Sequence, residues 1–486
     1  MKWRIKSIDA SIQGAQRSSL RRSIGLGQLI LLGVGSTIGT GIFVLTAIGI
    51  GRAGPALLLS FVIAAFICGL AALAYAELSA MIPISGSAYS YTYAALGEFL
   101  AWLVGWNLIL EYTVAAAAVS VGWSGYALGL CKSLGVELPS YLSTGLYVGK
   151  DGGANLLAIV LVAVMTTLLV IGTRASARVN ATLVMVKLSV LLLIIAVALP
   201  RIHLGNFVPF MPFGFVSTEV NGVPRGVMAA TALIFFAYLG FDTVSTAAEE
   251  TRNPNRTVPL AIVSALGICT VLYVLVAASM VGTTPYQRLA GNAEPLAAVL
   301  RNLGYPTLAN LVAIAAVVAL PSVLLVLLYG QSRIFFAMSR DGLLPAAFSR
   351  VHRKLGTPHI VTMATGSVVA VLAGLFSVGE IAELSNTGTL FAFIAVSVAV
   401  MWLRYSERQR QRPFRCPALW IVGPLAVLGC TCLLISLASS ALIRFGIWTA
   451  IGALVYFCFG YWRSPLREDG KQQDGHGRAV TRAQAP

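Results

Sequence analysis

The chain has 486 residues, of which 57% are hydrophobic and only 11% charged. Soluble globular chains carry roughly 25% charged residues, so a water-soluble protein is excluded. The net charge of +16 would suit a nucleic-acid binder only if it were gathered on a polar domain, and the sequence has none. Apolar runs of about twenty residues, each able to cross a bilayer as a helix, predict twelve spans: 27–48, 55–81, 97–122, 154–172, 179–200, 227–248, 258–282, 309–335, 360–377, 381–402, 419–440 and 444–462. The first run is long and others follow at once, which is unlike a cleaved signal peptide. Between the fifth and sixth spans lies a polar, proline-bearing stretch, Arg201–Arg225.

The basic residues read as a topology signal. With the N-terminus in the cytoplasm, 25 of the 34 Lys and Arg fall on the inner side, eight on the outer connections, and Lys187 inside a span. This positive-inside pattern predicts both termini in the cytoplasm of a multi-pass plasma-membrane protein. The seven cysteines include no CxxC pair and have no histidines nearby, against a metal site or a disulfide framework. The four histidines form no catalytic cluster, and there is no Walker A loop. No enzyme, metal or cofactor is expected, and no nucleic-acid partner.

The first span carries GVGSTIGTGIF, residues 33–43, with four glycines, a serine and two threonines in eleven positions. Backbone can leave helical geometry inside a membrane only where protein or a polar cavity satisfies it. A break here gives one half-helix ending in carbonyls and another beginning with N–H groups, a ready site for an anion. The sixth span reads TALIFFAYLGFDTVSTAAEETRNP, interrupted at Gly240 and followed by Asp242, Thr243, Ser245 and Thr246. Interrupted segments in matching positions of two halves point to a secondary-transporter binding site; close helix packing is the competing reason for small residues. A zwitterionic amino acid fits such a site. Its carboxylate would meet amides around Gly39, Thr40 and Gly41, and its ammonium carbonyls around Thr37, Ile38, Phe235, Phe236 and Tyr238.

GVGSTIGTGIFVLTAIG, SGSAYSYTYAALGEFLAWLVGWNLILEY, FFAYLGFDTVSTAAEETRNPNRTVPLAI and YGQSRIFFAMSRDGLLP together resemble the amino acid–polyamine–organocation superfamily, in its cationic amino acid transporter branch. The resemblance implies an all-α integral membrane protein of twelve helices. It has a five-plus-five inverted-repeat core, broken first and sixth helices, two peripheral helices, and alternating access around the breaks. Expected boundaries are an inner tail at 1–26, one repeat at 27–200 and the other at 201–405. A loop with the last two helices follows at 406–462, and a second inner tail at 463–486.

Ionisable groups within spans are rare and usually functional. Lys187 lies nine residues beyond Arg178, roughly 13 Å along a helix, too far to snorkel with ease. A buried amine can load and release a proton. The resemblance implies that it replaces the sodium ion of sodium-coupled relatives. Glu111, in WNLILEYTVAAAA, has no basic residue within twenty positions and needs a partner or a proton. It is expected to face the cavity, sharing the proton path or contacting substrate, unless it is a bonded structural carboxyl. Asp242 is expected either to cap the helix after the sixth-span break or to act in gating with Gly240. Glu77, Glu249 and Glu250 are expected to pair with Arg252, Arg256 or Arg333 at an inner gate, and Tyr238 and Phe235 could flank substrate.

The expected function is proton-coupled uptake of L-amino acids, with the proton as coupling ion and membrane lipid as surroundings. Small or apolar residues at Leu320, Pro321 and Ser322 favour neutral substrates, whereas Glu111 could instead pair with a cationic side chain. An obligate exchanger and a non-transporting sensor are the rivals. The short, basic cytoplasmic segments supply no signalling domain for the latter. Oligomeric state is not readable from the sequence.

Overall fold

In a computed structural model, residues 4–9, 24–84, 87–136, 138–139, 142, 144–146, 153–171, 177–220, 222–350, 352 and 357–464 are described; of these, the side chains of 177–180, 246, 249, 346 and 349 are not. The expectations for Arg178 and Glu249 as side chains therefore lie outside the described residues. The fold is mostly helical. Eight of the described helices are long and apolar enough to cross a membrane. Four shorter apolar helices, Leu26–Thr37, Leu156–Ile171, His359–Leu375 and Leu419–Ile435, fall where the first, fourth, ninth and eleventh spans were expected.

The first span begins as α1 (Leu26–Thr37), unwinds at Ile38 and Gly39, and resumes through a π-helical turn (Gly41–Leu45) into α2 (Thr46–Ala53). The second is α3 (Leu57–Met81), and a short helix α4 (Ser87–Ala95) leads into α5 (Glu98–Ser133). α5 runs eleven residues past the end expected from hydropathy. Its glycines do not stop it, because neighbouring chain fills the space beside them: a Cβ at Gly122 would strike Thr40, and one at Gly125 would lie 3.1 Å from Ala293. The fourth and fifth spans are α6 (Leu156–Ile171) and α7 (Ala177–Ala198).

The stretch after α7 holds an antiparallel hairpin, β1 (Thr218–Val220) with β2 (Val223–Arg225), which hydropathy did not anticipate. The sixth span starts as α8 (Val227–Ile234), tightens to a 3-10 turn (Phe235–Tyr238), and opens at Leu239. It then makes only one helical turn, α9 (Thr243–Thr246), and a 3-10 turn (Ala248–Glu250). The expected helical run to 248 is thus corrected. α10 (Pro254–Thr283) follows, with proline at its first position, where the missing amide costs least.

α11 (Tyr286–Leu289) and α12 (Pro295–Asn302) join it to the eighth span, α13 (Pro306–Ala319) and α14 (Pro321–Arg340). Pro321 does not break this span: the Leu320 amide still bonds Ala316, and Val323 bonds back to Leu320. The last spans are α15 (His359–Leu375), α16 (Val378–Ser406), α17 (Leu419–Ile435) and α18 (Ser439–Val455). Ser377 caps α16 by accepting the Glu380 amide, as helix starts require.

α5 packs along α16 and α14, while α10 packs along α3 and α1. The two breaks lie between these layers.

Candidate functional site

The breaks touch. Gly240 has φ +113°, a conformation a side chain rarely adopts, and a Cβ there would sit 2.7 Å from the Ser36 carbonyl carbon. The Ser36 hydroxyl donates to the Gly240 carbonyl at 2.8 Å, and the Thr243 hydroxyl donates to Ser36 at 2.9 Å. Gly41 is pressed against Ala237 so closely that any Cβ would fall on its backbone. Glycine is therefore required at both breaks by close approach of backbone to backbone.

A small cavity opens where they meet. Its walls include Ser36, Thr37, Gly39, Thr40 and Gly41 from the first span and Phe236, Leu239, Gly240, Asp242 and Thr243 from the sixth. α5 contributes Glu111, Tyr112, Ala115 and Val119, and α14 contributes Val323, Val326 and Leu327. Positions 111, 115 and 119 repeat every four residues, so one face of α5 meets the cavity. The same stripe continues to Gly122, against Thr40, and to Tyr126, whose hydroxyl donates to the Phe43 carbonyl at 2.8 Å. That contact seats the second half of the first span on α5.

The Phe43 amide bonds back to Gly39 at 3.2 Å, so the amides of Gly39, Thr40, Gly41 and Ile42 stand ahead of the first closed turn. The carbonyl ends are more fully used. Lys187 on α7 is 1% exposed, and its amine donates to the Gly35 carbonyl at 3.1 Å. The Tyr273 hydroxyl donates to the Thr37 carbonyl at 2.9 Å, and Asn386 donates to the carbonyls of Ala232 and Leu233. Lys187 thus stands behind the first break, bonded to it, rather than in the cavity wall.

Several expectations need revision. Tyr238 turns away from the cavity: its hydroxyl donates to the Phe61 carbonyl at 3.1 Å and its ring packs on Phe61 and Tyr273. Phe235 packs on Phe393, and Ile38 is buried outside the cavity wall. Asp242 occupies the position before α9 but makes no side-chain cap bond into it. Glu111 is buried, and its Oε2 has no hydrogen-bond partner among the described residues. On the eighth span the wall is formed by Val323, Val326 and Leu327, one turn beyond Leu320–Ser322. Glu77 pairs with Arg404 and Arg412 and accepts the Cys416 amide at 2.8 Å, not with Arg252, Arg256 or Arg333.

Sequence reasoning did not single out Tyr112. Its ring lies over Gly330 of α14, where a Cβ would come within 2.7 Å. A second, larger cavity, lined by Ser87, Tyr89, Tyr329 and Arg333 among others, shares Tyr112, Thr243 and Val326 with the first. These three side chains form the collar between the two spaces. On the opposite side, Arg52 of α2 and Glu383 of α16 form a buried ion pair.

The sequence profile of the amino acid permease family matches residues 24–460. The chain is 45% identical over 469 residues to the branched-chain amino acid permease BcaP of Bacillus subtilis, covering 96% of this chain and 99% of that protein. It is 41% identical over 469 residues to the methylthioribose transporter of the same organism, with the same coverage. Similarity extends to the vacuolar cationic amino acid transporter 2 of Arabidopsis thaliana, 37% identical over 84% of this chain and 64% of that protein. Two apposed helix breaks around a small cavity, in a chain of apolar helices that the amino acid permease profile matches over residues 24–460, identify it as a member of the amino acid permease family.

Proposed function

We propose that this permease carries neutral L-amino acids across the plasma membrane by proton-coupled alternating access. The observation that carries the reading is the cavity at the two breaks, with the Gly39–Ile42 amides that open the second half of the first span on one side and buried Lys187 bonded to the first half, at Gly35, behind. The substrate carboxylate meets those amides. Its ammonium lies toward Ser36, the sixth-span turn and Glu111. Its side chain lies among Ala115, Val119, Val323, Val326 and Leu327, an aliphatic wall that suits branched chains and agrees with the name of the Bacillus subtilis relative.

Twelve spans arranged as two inverted five-helix repeats, 27–200 and 201–405, with both termini cytoplasmic, are part of the same reading. The larger cavity beyond Tyr112 then faces the cytoplasm, and Arg52–Glu383 closes the outer side. The first, second, sixth and seventh spans rock against the third, fourth, eighth and ninth. Loss of the Lys187 proton weakens its hold on Gly35 and frees the first span to move. An unpaired ammonium in hydrocarbon costs about 2.5–3.5 kcal/mol or more, so the acceptor at Gly35 favours the charged amine and ties it to the first span.

Purified protein in proteoliposomes tests this. Leucine, isoleucine or valine should accumulate when an inward proton gradient is imposed. Counterflow without net uptake would favour an exchanger. Thermal stabilisation by methylthioribose but by none of the twenty amino acids would favour the substrate named for the second relative.

A further inference from the structure

The connection from 201 to 225, read from the sequence as polar, instead turns apolar side chains outward. Leu204 is 81% exposed, Val208 77% and Val216 69%, and Met211 and Phe215 are also exposed. Among 25 residues it has one acid, Glu219, against Arg201 and Arg225 at its two ends. Large exposed apolar clusters mark contact surfaces.

The segment is firmly held. The His203 amide and the Asn206 side chain both donate to the Gly282 carbonyl at the end of α10, at 2.9 and 2.7 Å. Pro212 lies against Gly54 at the end of α2, and Phe213 packs edge-on against Tyr286. Ser217 donates to the Ser436 carbonyl, and Ser439 donates to Glu219, between α17 and α18. Apart from Tyr286 on the short α11, these anchors lie at the same-side ends of α2, α10, α17 and α18. α10 and α18, and α7 from which the segment continues, also carry exposed apolar side chains, such as Val271, Ile443 and Leu192.

We propose that residues 201–220 and 222–225 lie in the interfacial zone of the bilayer, with Leu204, Val208 and Val216 inserted among the lipid glycerol groups and upper acyl chains. The exposed side chains continue the lipid-facing rows of α7, α10 and α18 beyond the helix ends. Terminal arginines beside aromatic rings, Arg201 over Tyr305 and Arg225 over Phe213, suit a surface of lipid headgroups. Only the naming of this leaflet as the outer one depends on the orientation proposed above. The Gly226 amide donates to the Arg52 carbonyl, and those of Val227 and Met228 to Gly214 and Phe215. The segment therefore ties the outer ends of the first and sixth spans to the membrane surface.

The test is spin-label accessibility in the full-length protein, with its seven native cysteines replaced, in bilayers of phosphatidylcholine and phosphatidylglycerol. Labels on L204C, V208C and V216C should be reached by oxygen and shielded from an aqueous nickel chelate, whereas Q287C, on the same side, should show the reverse. Nickel access at all three would overturn the proposal by placing the segment in water. Shielding from both reagents would overturn it in favour of a protein contact, such as a second copy. If the cysteine-free protein does not fold, photoreactive benzoylphenylalanine at 208 or 216 of the otherwise unchanged chain decides the matter. A lipid adduct supports the insertion, and an adduct to another chain, or none, overturns it.

Discussion

The two helix breaks share a cause and differ in form. In the first span only Ile38 and Gly39 leave the helix, and a π turn and α2 follow without pause. In the sixth, a 3-10 turn, an extended Leu239 and a left-sided Gly240 lead into a single helical turn. The first break therefore presents aligned amides backed by a long dipole, suited to hold a carboxylate. The sixth presents turn carbonyls, Asp242 and Thr243, which can rearrange with little loss of helix. On the reading above, one break grips the constant part of the substrate and the other yields during the transport cycle.

The sharpest way to break this contrast is to fill the contact between them. Gly41→Leu should abolish substrate-induced thermal stabilisation and uptake together, because the new side chain has nowhere to go but into Ala237; normal affinity would show that the breaks do not make the site. Lys187→Ala should remove proton-driven accumulation while leaving counterflow measurable, and accumulation with an unaltered response to the gradient would contradict the coupling role. Glu111→Gln should slow uptake by about tenfold, the scale of losing one hydrogen bond to a charged group, and alter its pH profile. An unchanged rate and profile would make Glu111 structural.

Two smaller changes sharpen the assignment of walls. Val323→Ala should raise the relative uptake of larger side chains over valine by about tenfold, the discrimination that a methylene or two provides. Tyr273→Phe frees the Thr37 carbonyl and should shift apparent affinity by about fivefold, the worth of one neutral hydrogen bond. Competition uptake with paired substrates reads the first, and titration of the thermal shift reads the second.

What could be read in advance follows from the range of each interaction. The first break was legible because its glycines and hydroxyls are consecutive in GVGSTIGTGIF. The cavity-facing stripe of α5 was partly legible, since a lone acid at Glu111 in an apolar helix demands a reason. Tyr238 was not: its orientation is set by Phe61 and Tyr273, far away in the chain. Nor was the shift from Leu320–Ser322 to Val323, Val326 and Leu327, because composition does not tell whether Pro321 bends a helix or rides within it. The short second half of the sixth span was hidden by an apolar start that hydropathy extended too far. Glu77 shows the same limit, since its partners lie more than three hundred residues away.

That carboxylate has a further consequence. Two of its three donors, Arg412 and the Cys416 amide, belong to the segment leading into α17. A version of the protein shortened after the tenth span would leave an anion in the interior with Arg404 alone to neutralise it. The Glu77 end of α3 would then be the first part of the bundle to loosen, so the segment leading into α17 serves as a brace for the second span.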